Sequence, residues 1–184
     1  AKLHGLSLEH KNLLAICPST ELWHRPRWQL LKLKDIFLRI RNMGFDCRAV
    51  IIGTSKEGRE WQSEVGDCPG IINLAGKLSI LASAFFISRC FLAICNDGGL
   101  MHVAGAVGCP TIAVMPNAPS QYKPPGKDTI MIRSNLPCSG CYPDRPDTCH
   151  IARCTEDVTV ESISQACHNL ISSQRDRQSM AALY

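Results

Sequence analysis

Short, continuously apolar runs recur along this chain and alternate with segments of helical periodicity. The apolar runs are NLLAIC, CRAVIIG, GIINLAG, FLAICN, PTIAVM and TIMIRS. Strands that are apolar on both faces are typical of a parallel sheet with helices on both sides, because neither face of such a sheet meets water. The alternation therefore predicts an α/β fold with a doubly wound parallel sheet.

The segments between the runs have the features of helices. In WQLLKLKDIFLRIRNMG, apolar residues recur at Leu30, Leu33, Phe37 and Ile40, and Gly44 is placed to end the helix. Further helices are expected in SKEGREWQSEVG, SILASAFFISR and LMHVAGAVG. A last helix, TVESISQACHNLISSQ, is expected to open at a Thr or Ser cap. PNAPSQYKPPGKD is expected to be a loop.

Length and composition bound the number of domains and the class of protein. With 184 residues and 45% hydrophobic content, the chain can bury one core. We expect one domain over residues 1–174 and a frayed or disordered tail over residues 175–184. The net charge of +4 comes from cations interleaved with acids, which does not indicate nucleic-acid binding. Without an apolar run of about 18 residues or a signal-peptide core, we expect a soluble protein.

Nine of the eleven cysteines fall into two groups. Those expected in the core lie within or beside apolar runs and are Cys17, Cys47, Cys90, Cys95 and Cys109. Those expected in a loop over residues 137–154 are Cys138, Cys141, Cys149 and Cys154. The odd total and the apolar surroundings favour a reducing compartment over a disulfide scaffold.

The loop cysteines have the spacing C-x2-C-x7-C-x4-C, with His150 adjacent. Four thiolates can surround zinc, and C-x2-C supplies two of them from one turn. The second pair is spaced more loosely than is usual, and a loop of free or opportunistically paired thiols is the alternative. In either case we expect the segment to have a structural role.

The stretch CNDGGLMHVAGAVGCP follows an apolar strand and continues as a helix of small residues. A helix that begins at Gly98 or Gly99 offers free amides to a phosphate, and glycine lets the backbone approach the anion. Asp97 at the strand end can accept hydrogen bonds from sugar hydroxyls, and His102 lies one turn further on. This combination indicates a nucleotide-sugar site. Alternatively, Asp97 caps the helix, the glycines pack it against the sheet and His102 is a structural residue.

The same stretch, with the preceding NLAGKLSILASAFFISRCFLAIC, resembles the C-terminal donor-binding half of glycosyltransferase family nine, the ADP-heptose:lipopolysaccharide heptosyltransferases. The family pattern D-x-G-x-x-H, followed by G-x-P, is matched by Asp97, Gly99, His102, Gly108 and Pro110. The resemblance runs from about residue 13 to about residue 170 and includes the cysteine segment. It implies a Rossmann-like doubly wound sheet that forms the C-terminal half of a GT-B glycosyltransferase.

The resemblance also implies positions for the rest of the donor site. Ser19 and Thr20, at the end of the first strand, match hydroxyl residues that contact the donor phosphates. In HRPRWQ, Pro26 stands where the family commonly has lysine, so Arg25 or Arg27 must substitute. Turn or surface roles are the alternatives for these residues.

Two further positions are implied near the nucleotide. Glu57 matches an acid beside the nucleoside, and Lys77, after Gly76, matches a loop that lies against the nucleotide. A solvated helix position for Glu57 and a solvated lysine at position 77 are the alternatives.

The implied function is that of a donor-binding domain of an inverting glycosyltransferase, which moves a heptose or similar sugar from a nucleotide-diphosphate sugar, ADP-heptose favoured, to an acceptor such as lipopolysaccharide core. No cofactor is implied for transfer, and iron joins zinc as a candidate for the cysteine segment because related heptosyltransferases hold iron there. The acceptor site and catalytic base belong to an N-terminal half, so no catalytic residue is assigned. The implied location is cytoplasmic, peripheral at the inner face of the cytoplasmic membrane.

Two other functions stay open on the sequence. One is a noncatalytic nucleotide-sugar-binding or assembly module with the same fold. The other is a zinc-stabilised nucleic-acid module, which the lack of a clustered basic face disfavours.

Overall fold

A computed structural model describes residues 2–3, 6–7, 12–19, 28–141 and 153–181. Its centre is a six-stranded sheet in which every neighbouring pair of strands is parallel. The strands are β3 (Leu13–Cys17), β4 (Arg48–Ile51), β5 (Ile71–Asn73), β6 (Leu92–Asn96), β7 (Thr111–Val114) and β8 (Thr129–Ile132). A short antiparallel pair, β1 (Lys2–Leu3) and β2 (Leu6–Ser7), precedes them.

The strand order across the sheet is β5-β4-β3-β6-β7-β8. The chain therefore winds outward from β3 in one direction, returns to the centre and winds outward from β6 in the other. This is the strand order of the Rossmann fold, and it creates a switch point between β3 and β6. The predicted doubly wound parallel sheet is confirmed.

Helices cover both faces of the sheet. They are α1 (Leu30–Asn42), α2 (Ser55–Glu64), α3 (Ile80–Ile87), α4 (Gly99–Ala106), α5 (Arg153–Asp157) and α6 (Val160–Ala181), with a 3-10 turn at Ser120–Tyr122. Leu14 and Ile16 of β3 face the core formed with α1, α2 and α6. Leu13, Ala15 and Cys17 face the core formed with α3 and α4. Because successive strand residues point to opposite faces, an apolar run with no polar alternation fills both cores.

Local signals predicted how several helices begin and end. Gly44 follows α1 with a positive φ of 88°, a conformation that glycine adopts without a steric penalty. Thr159 caps α6, since its hydroxyl accepts a hydrogen bond from the amide of Ser162 at 3.1 Å. Both expectations are confirmed.

The C-terminal region differs from the expected loop and frayed tail. Cys154 lies in α5, within the range expected to be loop, and α6 continues to Ala181, so residues 175–181 are helical. Long-range contacts hold this end of α6: the Arg175 guanidinium lies 4.5 Å from the centre of the Phe45 ring, and Arg177 donates to Asp128 at 2.9 Å. Residues 182–184 lie outside the described residues. Within the described residues, no helix is long and apolar enough to cross a bilayer.

The five cysteines expected in the core are buried, as is Cys167. The pKa of the Cys17 thiol lies well above its ordinary value. The larger cause is a hydrogen bond with the Cys95 thiol, and the next is burial. Burial raises the pKa of Cys167 to about 12 and raises the pKa values of Cys90 and Cys109 well above the ordinary range. These thiols are therefore neutral core residues at physiological pH.

The raised pKa values predict that the protein loses stability in mild alkali. An unfolded thiol ionises above about pH 8.5, whereas the folded thiols of Cys17, Cys90, Cys109 and Cys167 stay protonated to higher pH. Their contribution is therefore complete below about pH 8.5 and is lost progressively as pH rises from there toward the raised pKa values of the folded thiols. From about pH 7.5 to about pH 9.5 each thiol removes about 1 kcal/mol from the free energy of unfolding. Urea denaturation at the two pH values measures this.

Replacing single cysteines separates this effect from other titrations. Cys167→Ala lowers the pH dependence by the share of one thiol, whereas the same change at the half-buried Cys68 is the control. An unchanged free energy of unfolding across this pH range in the wild-type protein contradicts the assignment.

Candidate functional site at the switch point

The carboxyl ends of β3 and β6 form a crevice at the switch point of the sheet. The two strands pair in register, with Cys17 opposite Cys95. The chain leaves β3 toward one edge of the sheet and leaves β6 toward the other, and in doubly wound sheets ligands bind outside the strand ends at such a point. Pro18 and Ser19 follow β3, Asn96 ends β6, and Asp97 and Gly98 follow it.

Gly98 lets these two connections approach each other closely. A Cβ on Gly98 would lie 2.5 Å from the backbone carbonyl oxygen of Ser19, a distance that a real Cβ does not reach. The requirement for glycine here is steric, since the backbone is extended, with φ at −166°. The start of α4 is therefore packed directly against the end of β3.

Asn96 holds the same two connections together with hydrogen bonds. Its side chain is 3% exposed, and its Nδ2 donates to the carbonyl oxygens of Pro18 at 3.0 Å and Trp28 at 3.2 Å. One amide thus binds the chain on both sides of residues 19–27. The only sequence signal for this role is a polar residue at the end of an apolar strand, which by itself does not identify its partners.

Helices begin at this edge after β3, β4, β5 and β6, and the N-termini of α2, α3 and α4 differ. Glu57 and Thr54 form a capping box at α2, in which Glu57 accepts from the Thr54 amide at 2.6 Å. Ser79 caps α3 by accepting from the Ala82 amide at 3.2 Å. The N-cap residue of α4 is Gly98, which has no side chain with which to cap the helix. The first amides of α4 and the positive end of its dipole therefore face the crevice.

Ser19 and Glu57 lie beside the same glycine. A Cβ on Gly53 would lie 3.1 Å from Glu57 Oε2 and 3.2 Å from Ser19 Oγ. Glu57 is half-buried, and its Oε2 also accepts from the Thr54 hydroxyl. The structure therefore brings Ser19, Glu57 and Gly98 together along the ends of β4, β3 and β6.

Lys77 and His102 lie at the same edge and are exposed. The Lys77 ammonium donates to the carbonyl oxygen of Asn73 at 2.9 Å, so its side chain folds back over the end of β5. The preceding Gly76 has φ at 78°, and a Cβ there would lie 2.7 Å from Ser55 Cα. His102 lies on α4, one turn after Gly98. Asp97 follows β6 directly and is half-buried.

Three of the predicted phosphate-binding residues, Thr20, Arg25 and Arg27, lie outside the described residues. The described residues on either side of them, Ser19 and Trp28, lie at the crevice. Trp28 is buried, and its indole donates to the Val158 carbonyl at 2.9 Å.

The first cysteine pair lies beside the end of β7. Ser139 donates to the Pro116 carbonyl at 3.1 Å, and the Gly140 amide donates to the Asn117 carbonyl at 3.1 Å. Cys138 is exposed, Cys141 is half-buried and Cys154 is buried in α5, while Cys149 lies outside the described residues. Across the described ranges, no group of three or more His, Cys, Asp and Glu side chains is placed to hold a metal ion.

Comparison with known proteins identifies similar sequences. A family model described as glycosyltransferase family 9 (heptosyltransferase) matches residues 2–153. Among curated proteins, the lipooligosaccharide heptosyltransferase 2 of Haemophilus influenzae is 28% identical over 133 residues, which are 68% of this chain and 37% of that protein.

Two solved structures have the same fold. A family 9 glycosyltransferase from Veillonella parvula matches with a TM-score of 0.76 at 19% identity, covering 92% of this chain and 48% of that one. The iron-containing heptosyltransferase TibC from enterotoxigenic Escherichia coli, in complex with ADP-D-β-D-heptose, matches with a TM-score of 0.69 at 15% identity, covering 91% and 48%. The chain spans little more than a third of the curated relative and about half of each solved chain.

The contact at Gly98 makes a prediction about stability. In Gly98→Ala the new methyl group meets a backbone carbonyl that cannot rotate away, so we expect a loss of about 1–3 kcal/mol in the free energy of unfolding. In the matched variant Gly53→Ala the neighbours are the ends of the Glu57 and Ser19 side chains, which can move, and the loss is smaller. Thermal and urea denaturation compare the two. Equal stability of Gly98→Ala and the wild-type protein contradicts the close packing.

Proposed function

Because the chain belongs to glycosyltransferase family 9, the heptosyltransferase family, we propose that it is the donor-binding domain of an inverting glycosyltransferase. The donor is a nucleotide-diphosphate sugar, with ADP-heptose favoured, and the sugar is a heptose or a close analogue. The acceptor is a carbohydrate such as the lipopolysaccharide core. The observation that supports this proposal most is the packing of Gly98 against the end of β3, because Asp97 and the first amides of α4, which has no side-chain cap, are next to Gly98 and Ser19 lies across from it.

The sugar and the pyrophosphate are assigned to the β6–α4 connection. The Asp97 carboxylate accepts hydrogen bonds from the sugar hydroxyls. The amides of Gly98 and Gly99 and the side chain of His102 bind the pyrophosphate, where the α4 dipole stabilises the negative charge that develops on the leaving group.

The remaining donor contacts are assigned to the ends of β3 and β4. Ser19, Thr20 and either Arg25 or Arg27 contact the phosphate region. Both hydrogen bonds from Thr54 go to Oε2 of Glu57, and Oε1 is the oxygen that we assign to the nucleoside. Lys77 adds a cation at the nucleotide if its side chain leaves the Asn73 carbonyl.

The acceptor and the general base are assigned to another Rossmann-like half. A glycosyltransferase must hold the acceptor hydroxyl in line with the anomeric carbon and remove its proton. The described residues of this chain are accounted for by one doubly wound sheet, so we assign no catalytic residue to it. We place the complete protein at the inner face of the cytoplasmic membrane, where a lipid-linked core acceptor is accessible.

Calorimetry with ADP, ADP-heptose and a UDP-sugar tests the donor assignment and the role of Asp97. We expect ADP to bind and ADP-heptose to bind more tightly, while the UDP-sugar binds weakly or not at all. Asp97→Ala removes the carboxylate that accepts hydrogen bonds from the hydroxyls of the donor sugar, which ADP lacks. It should therefore weaken ADP-heptose about tenfold or more and leave ADP nearly unchanged.

Asp35→Ala, at an exposed carboxylate on α1, is the control for loss of one negative charge and should bind both ligands normally. Absence of nucleotide binding, or ADP-heptose affinity that Asp97→Ala does not change, contradicts the proposal. Turnover with the N-terminal half supplied in trans then separates a transferase from a noncatalytic nucleotide-sugar-binding module.

The cysteine segment is assigned a separate, structural role. We propose that Cys138, Cys141, Cys149 and Cys154 hold one zinc or iron ion that stabilises the segment between β8 and α6. The C-x2-C turn and the iron content of the similar TibC support this proposal. Against it, Cys138, Cys141 and Cys154 do not converge in the described structure. The proposal therefore requires these three thiols to move together when the ion binds, with Cys149, which lies outside the described residues, as the fourth ligand.

Elemental analysis of protein purified under reducing conditions without added metal tests the assignment. We expect about one zinc or iron ion per chain, and its loss in the double variant Cys138→Ser, Cys141→Ser. Cys68→Ser, at a half-buried cysteine far from the segment in sequence, is the control. Wild-type protein that contains no metal and is as stable as the double variant rules out a structural metal ion in the cysteine segment. That result does not affect the donor assignment.

A further inference from the structure

A second cavity lies at the opposite edge of the sheet, where the strands begin. Its volume is about 370 Å³, which is within the range of small-ligand sites. Its floor is formed by residues that precede the central strands, and they are Asn12, Cys47, Phe91 and Pro110. Because the strands are four or five residues long at roughly 3.3 Å each, this cavity lies about 15 Å from the switch-point crevice.

The walls of the cavity come from α6 and from the end of α3. Ile171, Gln174 and Arg175 of α6 form one side, and Arg89, which follows α3, lies on another. Phe45 and Phe91 add aromatic surface. The cavity therefore combines an apolar body with polar groups on its rim, as small-molecule sites do.

Two guanidinium groups at the cavity have aromatic neighbours in place of carboxylates. Arg175 lies 4.5 Å from the Phe45 ring centre, and Arg89 lies 5.3 Å from that of Phe85. Arg177, two residues further along α6, pairs instead with Asp128 at 2.9 Å. Within the described part of the chain, neither Arg89 nor Arg175 makes an ion pair.

The other charged and polar groups do not balance these two cations. Asp46 is the carboxylate at the cavity, and it leaves one positive charge in excess. The cavity thiols stay neutral, because burial raises the pKa of Cys47 to about 11 and those of Cys90 and Cys109 well above the ordinary range. The final carbonyls of α3 are already bonded to the amides of Ser88, Arg89 and Cys90.

Gln174 adds a donor that the described residues leave unsatisfied. Its Nε2 is buried and has no hydrogen-bond partner in the described structure. An unpaired buried donor costs about 1–3 kcal/mol, and such groups are uncommon in native proteins. An oxygen atom of a bound ligand, placed between Gln174 and Arg175, would satisfy it.

We propose that this cavity is a binding site for a small organic anion, whose carboxylate or phosphate head group is bound by Arg175, Arg89 and the Gln174 amide and whose apolar part packs against Phe45, Phe91 and Ile171. The planar guanidinium groups suit both head groups, since either oxyanion can accept two parallel hydrogen bonds from one arginine. The site is separate from the donor crevice and does not depend on the function proposed for it.

Chemical-shift mapping of the ¹⁵N-labelled chain tests this site. The probes are benzoate, phenyl phosphate, the neutral analogue benzamide and inorganic phosphate, each at millimolar concentration. We expect at least one of the two aromatic anions to shift the amides of Ser88–Phe91, Gly108–Cys109 and Ile171–Arg175. Benzamide and inorganic phosphate, which each lack one half of the ligand, should bind at least tenfold more weakly. The tighter aromatic anion identifies the preferred head group.

Two variants identify the groups that bind the anion, and a third is the control. Arg175→Gln should weaken binding about tenfold or more. Gln174→Leu should also weaken binding, because leucine has a similar size but no amide donor. Arg59→Gln, at an exposed arginine of α2, removes the same charge elsewhere and should bind normally. Each variant should keep the amide peak dispersion of the wild-type spectrum, with changes only near the substitution, which shows that the variant is folded.

Three results would overturn the proposal. They are the absence of shifts at the cavity with both aromatic anions, equal affinity for benzamide and for the tighter aromatic anion, and wild-type affinity in Arg175→Gln combined with Arg89→Gln.

Discussion

The close backbone approach between Gly98 and the carbonyl oxygen of Ser19 fixes how the connections after β3 and β6 meet at the switch point, where the two paired strands join the two halves of the sheet. The Asn96 amide strengthens this approach by donating to Pro18 and Trp28. These two hydrogen bonds tie the β3–α1 connection to the end of β6, so they keep the two sides of the crevice together. The positions of Asp97, Ser19 and the first amides of α4 all depend on this one contact.

The two edges of a doubly wound sheet differ electrostatically, and the switch-point crevice and the cavity at the opposite edge follow that difference. At the carboxyl edge the helices begin, so backbone amides and helix dipoles can bind an anion where no side chain caps the helix. At the amino edge α3 ends, and its backbone offers carbonyl groups instead. An anion there must be bound by side chains, which explains why Arg89, Arg175 and Gln174 carry the proposed site while Gly98 and Gly99 carry the other.

The strands and most helices were predictable because their signals are local. Continuous apolar runs mark strands that are buried on both faces, and Gly44 and Thr159 mark helix ends through their own backbone or hydroxyl. The end of α6 was not predictable in this way. Its last turns are polar in sequence, and the contacts of Arg175 with Phe45 and of Arg177 with Asp128 join residues that are far apart along the chain.

The amino-acid sequence by itself determined the strand–helix order, the core thiols and the strand-end motif that contains Asp97, Gly98, Gly99 and His102, because each is a matter of residue type and spacing. Only the tertiary structure decided which of the candidate residues meet. It brought Ser19, Glu57 and Gly98 together and turned Lys77 back over β5. It also paired Asn96 with two carbonyls and collected Arg89, Gln174 and Arg175 around one cavity. These contacts depend on strand order and helix packing, which no local sequence pattern specifies.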